Sequence, residues 1–174
     1  MAARHPERVK GAVFANTAIL APAKRIKATW FHRFSQMPIV SDIAFRGLGF
    51  PLPILSRVQG DPASIGAFER RAYAWPLARF ADRAAPLGLA RMVPNGPDHP
   101  SVHVLQTCER WATEFRGPVE LVWGMRDPIL GRSLKRIQAV FPEAPVTRTE
   151  AGHFLQEEVP DLLAAAILRV AQKV

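Results

Sequence analysis

Two residues in this 174-residue sequence stand where a proton-transfer pair would have to stand. Asp127 follows the apolar run Pro118-Val-Glu-Leu-Val-Trp-Gly124, and His153 follows Gly152 after the short run Val146-Thr-Arg-Thr149. An imidazole serves as a general base near neutral pH when one tautomer is held and its cation is stabilised, and a carboxylate on Nδ1 does both. Taken singly, Asp127-Pro128 reads as a turn and Gly152-His153 as a strand exit whose glycine allows a tight turn. Their shared context favours the pair, because both fall directly after a predicted strand. In sheets built from strand–helix–strand units, functional groups collect in the loops outside the carboxyl ends of the strands.

The elements that must position them follow from the spacing of apolar residues. Lys10-Gly-Ala-Val-Phe-Ala-Asn16 contains a short apolar run with little alternation, the pattern of a strand buried on both faces of a parallel sheet, and Pro118–Gly124 is a second candidate of the same kind. Leu134, Ile137, Val140 and Phe141 recur at helical spacing until Pro142 stops them, and Leu162, Leu163, Ala166, Ile167 and Val170 do the same from Pro160 onward. The tail therefore reads strand, helix, strand, helix, which makes the class α/β. From Ala18 to about Phe115 the texture differs: aromatic residues and arginines at helical spacing are cut into short pieces by prolines at 22, 38, 51, 53, 62, 76, 86, 94, 97 and 100. The clearest piece opens at Asp61-Pro62, a cap residue followed by proline. This predicts a helix from Pro62 to Trp75 with Ile65, Phe68, Ala72 and Trp75 on one face.

Composition narrows the classes. A hydrophobic share of 48% with 22% charged residues is that of a folded globular chain, which disfavours disorder and repetitive fibres. The 23 Lys+Arg against 15 Asp+Glu give a net charge of +8, yet the cations are scattered and mostly Arg, so a solvated surface, including Arg70-Arg71, is expected rather than a nucleic-acid face. The lone Cys108 requires no oxidising compartment, and no apolar stretch approaches the roughly 18 residues of a membrane span. The expectation is a cytoplasmic protein with a small-molecule substrate, without nucleic-acid or membrane partners. His99, His103 and Cys108 do not make a metal site, since Pro100 separates the histidines and a fourth ligand is missing. No dinucleotide or phosphate loop occurs, so no cofactor is expected.

The stretch Val122-Trp-Gly-Met-Arg-Asp-Pro-Ile-Leu130, followed by Phe141-Pro and Glu150-Ala-Gly-His-Phe-Leu-Gln-Glu-Glu-Val-Pro160, resembles the C-terminal third of α/β-hydrolases, particularly the haloalkane dehalogenase-like branch. His5-Pro-Glu-Arg-Val-Lys-Gly-Ala-Val-Phe-Ala-Asn16 is similar to the approach and sixth strand of that family; Ala72-Tyr-Ala-Trp-Pro76 and the stretch from Pro94 to Pro100 resemble segments of its helical cap. The resemblance implies a partial α/β-hydrolase fold: the last three parallel strands with flanking helices and an inserted cap. Residues 1–17 and 116–174 would belong to the core and 18–115 to the cap. It implies Asp127 as the triad acid and His153 as the base that activates water against a covalent ester. It also implies that Trp30 or Trp75 could offer an indole N–H to a leaving halide, although a packed core aromatic is the commoner role for each. Asn16 falls where some relatives carry the triad carboxylate, and its amide cannot take that role. Glu157 and Glu158, near the start of the last helix, suit a capping or solvated role.

One part of the family pattern is missing. The nucleophile, Asp in dehalogenases and Ser in esterases, sits on a strand-to-helix elbow of the type Gly-x-nucleophile-x-Gly, and no two glycines of this chain are spaced that way. The resemblance thus implies that Met1 falls on the helix after the nucleophile and that this chain is a fragment, inactive alone. A late start, a split gene and a cut piece remain open as origins. The first strand would then lack a neighbour, and the expectation is marginal stability, with self-association or a complementary N-terminal chain on that edge. Ester or epoxide hydrolysis, or a non-catalytic binding remnant, stand as alternatives to dehalogenation.

Overall fold

A computed structural model describes residues 1–25 and 30–174; residues 26–29, inside the expected cap, lie outside the described residues. The strands are β1 (Ala12–Ala15), β2 (Val119–Gly124) and β3 (Val146–Thr149). The helices are α1 (Trp30–Ser35), α2 (Val40–Asp42), α3 (Ala67–Ala74), α4 (Ala84–Arg91), α5 (Val102–Glu114), α6 (Leu134–Val140), α7 (Leu155–Glu158) and α8 (Pro160–Ala171). Short 3-10 turns punctuate the chain, and a π-helical turn, Ile43–Gly47, continues α2. The strands form a parallel sheet in the order β1-β2-β3, with Ala15 opposite Val122 and Gly124 opposite Thr149. The α/β class and the three parallel strands are as the sequence predicts.

Two compact units divide the chain: 1–20, 57–64 and 105–174 form one, and 21–56 with 65–104 form the other. The stretch 18–115, expected as one insertion, is therefore shared between them. In the first unit the central strand explains the core. Leu121 and Trp123 project to one side of the sheet and pack with Ala112, Leu134, Ile137 and Phe141, while Val122 projects to the other and packs with Ala151, Leu155 and Ala166. Alternate residues of β2 thus serve opposite layers, which is why Leu121, Val122 and Trp123 are apolar in succession. On the Val122 side a charge is also buried: Glu120 is held by a two-pronged contact from Arg169 of α8, with N–O distances of 2.7–3.0 Å.

β1 departs from the expectation of a strand buried on both faces, since its four residues are only partly buried. Among the described residues it pairs on one side alone, with β2. In the second unit, Phe45, Leu87 and Ala90 form a core lined by Phe31, Phe34 and Phe50.

The predicted helix from Pro62 to Trp75 is corrected to two pieces. Asp61 does cap, accepting a 2.9 Å bond from the Ala63 N–H, but what it caps is a single 3-10 turn, Pro62–Ser64. Gly66 then adopts an extended backbone, and α3 begins at Ala67 with the Glu69 carboxylate reaching back to the Gly66 N–H at 2.8 Å. The break at Gly66 rotates the later residues off the face of buried Ile65, so Phe68 and Trp75 are exposed. Among the described residues no helix is long and apolar enough to cross a membrane.

Truncating Ile137, which is 1% exposed, to Ala is expected to lower unfolding free energy by about 2–5 kcal/mol. Phe68→Ala, at a residue 70% exposed, is expected to change it by no more than about 0.5 kcal/mol. Urea unfolding followed by circular dichroism measures both.

Candidate active site

The parallel register brings three chain segments together at the carboxyl ends of the strands. β1 ends at Ala15, and Asn16 follows it with a positive φ of 28°, a conformation asparagine tolerates better than most residues. β2 ends at Gly124, and the next loop folds back as a turn in which the Ile129 N–H donates to Asp127 Oδ1 at 2.7 Å. After β3, the loop carrying Gly152 and His153 crosses the end of β2.

Asp127 and His153 meet there. His153 Nδ1 lies 2.9 Å from Asp127 Oδ2, with the carboxylate side chain 0% and the imidazole 26% exposed. The same Oδ2 accepts a 2.8 Å bond from Asn16 Nδ2, which also donates to the Gly152 carbonyl at 2.9 Å. Asn16 Oδ1 in turn accepts the Gly124 N–H at 2.8 Å. The asparagine side chain therefore ties the acid, the strand that leads to it and the loop that carries the base. Sequence reasoning noted Asn16 only as a side chain unable to be the acid. An asparagine directly after a predicted strand was the only available signal, and it does not say which carboxylate the side chain meets.

Burial alone would raise the Asp127 carboxyl. The hydrogen bond to His153, the N–H groups of Ile129 and Leu130 and the charge of the imidazole outweigh it and hold the carboxyl below its ordinary range. With the anion on Nδ1, the imidazole keeps its proton on that nitrogen and turns Nε2, the remaining basic nitrogen, toward proton transfer. Chemically the pair can take a proton from a nucleophile or water and stabilise the resulting imidazolium.

Gly152 is present for a different reason than a tight turn. A Cβ there would lie 2.3 Å from the Val58 carbonyl oxygen and 2.4 Å from Gln59 Cα. The glycine admits close passage of a second backbone, and the His153 N–H donates to Val58 O at 2.8 Å. Glu158 lies near the start of the last helix, α8, as expected, but does more than cap it. It ends α7, and its carboxylate accepts N–H bonds from Gly152, Gly60 and Asp61.

Trp30 and Trp75 belong to the second unit and are 63% and 84% exposed, so the role of packed core aromatic is corrected for both. Trp30 stacks on Phe34 at 5.0 Å between ring centres. Trp75 opens a 3-10 turn in which Pro76 follows directly. His99 and His103 are engaged locally, by Ser101 and by the Pro100 carbonyl. Among the described residues no group of three His, Cys, Asp or Glu is placed to hold a metal ion.

No family model matches the chain. Its relatives are haloalkane dehalogenase-like α/β-hydrolases over nearly its whole length. Haloalkane dehalogenase 1 of Mycobacterium tuberculosis is 28% identical over 172 residues, covering 97% of this chain and 54% of the relative. The cis-3-alkyl-4-alkyloxetan-2-one decarboxylase of Shewanella oneidensis is 25% identical over 166 residues, covering 92% and 51%. Among solved structures, a haloalkane dehalogenase from Bradyrhizobium elkani superimposes with a TM-score of 0.82 at 19% identity, covering 99% of this chain and 63% of the other, so the fold is part of that architecture. The chain spans about half the length of the curated relatives it matches.

A carboxyl held low in the folded state stabilises the fold above the ordinary carboxylate pKa, about 4, and loses that contribution as pH falls through the folded value. Asp127→Asn is therefore expected to remove part of the stability loss seen below about pH 4, measured by urea midpoints across the acid range. Asn16→Ala leaves the Gly124 N–H and the Gly152 carbonyl without their partner and is expected to cost about 1–3 kcal/mol, read from the same unfolding curves.

Proposed function

We propose that these residues supply the acid–base half of a hydrolase of the haloalkane dehalogenase type, acting on a small organic substrate through a covalent ester and needing no cofactor. Cytoplasmic residence accords with the single cysteine. The observation that carries the reading is the contact between His153 Nδ1 and the buried Asp127 carboxylate at the strand ends.

A carboxylate nucleophile would attack the carbon bearing the leaving group, forming an ester and releasing a halide ion. His153 Nε2 then takes a proton from water as the water oxygen adds to the ester carbonyl. Asp127 stabilises the imidazolium, and as the C–O bond of the adduct breaks, the proton passes to the departing alcohol. The nucleophile would come from outside these 174 residues, on a complementary N-terminal segment whose strand pairs with the open edge of β1.

The decarboxylase from Shewanella shows that sequences related to this chain over 92% of its length serve more than one reaction. Ester or epoxide hydrolysis is accordingly the second reading, because the absent nucleophile decides the reaction while the base and acid are common to all. The test is complementation: the chain is combined with the N-terminal half of a haloalkane dehalogenase, and halide release, ester hydrolysis and epoxide opening are followed. His153→Ala is expected to lower turnover by roughly 10³-fold or more with the fold intact. Unchanged turnover of all three substrate classes would refute the catalytic assignment and leave a non-catalytic remnant.

A further inference from the structure

The His153 loop is held from outside the pair, by Glu158 shortly after it and by a segment far away in sequence. The segment from Val58 to Asp61 runs alongside Gly152-His153-Phe154, with three successive loop N–H groups accepted in order. Glu158 Oε1 takes Gly152 at 2.7 Å, Val58 O takes His153 at 2.8 Å and Gln59 Oε1 takes Phe154 at 2.8 Å. The Gln59 amide returns a bond to the Phe154 carbonyl at 3.2 Å. On the opposite side of the same carboxylate, Gly60 N–H donates to Glu158 Oε1 at 3.1 Å and Asp61 N–H to Oε2 at 2.7 Å. One side chain thus closes both backbones around itself. The approach is tight enough that both glycines are required: a Cβ on Gly60 would lie 2.1 Å from the Glu150 carbonyl, and one on Gly152 would meet Val58 as described.

A carboxylate is the group this arrangement needs. Three N–H donors converge on two oxygens, and charge-assisted bonds of this kind are about twice as strong as neutral ones. Glutamine has the same shape but a single acceptor oxygen, so its NH2 would face at least one of the three N–H groups. The Gly152 carbonyl is already fixed by Asn16; Glu158 fixes the amide on the other side of the same residue. Between them they set the backbone from which the imidazole reaches Asp127.

We propose that Glu158 is a positioning residue for His153, clamping the loop that carries the base to the Val58–Asp61 segment and thereby setting the imidazole against Asp127. This rests on the reading of His153 as the base. It is tested by proton NMR of the 174-residue chain. A histidine Nδ1–H bonded to a buried carboxylate resonates far downfield, and a merely structural glutamate would leave that signal unmoved. In Glu158→Gln the signal is expected to shift and broaden, with amide exchange of Gly152 and Gly60 accelerated about ten-fold or more while Leu121 and Val122 of β2 stay protected. Glu158→Asp, which keeps the charge and retracts it by one methylene, is expected to give a smaller change in the same direction.

An unmoved downfield signal in Glu158→Gln overturns the proposal, and so does global unfolding of both variants, since a positioning residue does not carry the fold. Asp127→Asn is the control that separates the two readings. If Asp127→Asn removes the signal and Glu158→Gln leaves it, the pair stands and the clamp falls. If Asp127→Asn also leaves it, the pair itself, and with it the clamp, is overturned.

Discussion

The buried negative charge of Asp127 governs how the strand ends of the first unit are arranged. The Asp127 side chain is wholly buried, and a carboxylate removed from water is tolerable only when donors are aimed at it. Here the donors arrive from three directions: Asn16 beyond β1, the Ile129 N–H within the aspartate's own loop, and His153 beyond β3. Each strand end therefore has to arrive at the same level. The register does this, pairing Ala15 with Val122 and Gly124 with Thr149. A slip of one residue would turn the side chains of a strand to the opposite face and take a donor away from the anion, so the polar site and the sheet register reinforce one another.

The pair could be read in the sequence because its residue types and its surroundings agree: an acid and an imidazole, each in the loop after a predicted strand, with Gly124 and Gly152 close before them. The parallel strands were legible for the same reason. What holds the pair was not. Asn16 lies 111 residues from Asp127, and a lone asparagine at a strand end gives no local sign of which carboxylate it will meet. Glu158 was expected with Glu157 near the start of the last helix, in a capping or solvated role. It does stand just before α8, which begins at Pro160, but it also ends the short helix α7, and its carboxylate is taken up by the backbone of other segments. Its three N–H partners lie six residues away in one case and nearly a hundred in the others, a spacing no periodicity exposes.

The misread helix at 62–75 has a related cause. Asp61 followed by proline is a sound start signal, and the side chain does cap. What the signal lacks is any measure of how far the helix runs, and Gly66, which tolerates an extended backbone and resists helix, ended it after one turn. The tertiary demand on the preceding residues supports the same outcome: Gly60 and Asp61 are committed to the Glu158 carboxylate, which fixes the direction from which the chain enters the turn.

These contacts give the open strand a significance beyond its length. β1 holds no fully buried residue and, among the described residues, pairs on one side alone, as β3 also does, before continuing directly into Asn16. The residue that organises the buried anion is thus carried by an edge strand. Whatever restrains Ala15 restrains, through it, the φ of Asn16, and so bears on order at the Asp127–His153 pair. The three bonds that Asn16 makes in turn hold the end of β1 against the Gly152 loop and the end of β2. The Asp127–His153 contact is therefore not independent of the sheet: its geometry is set by the ends of all three strands.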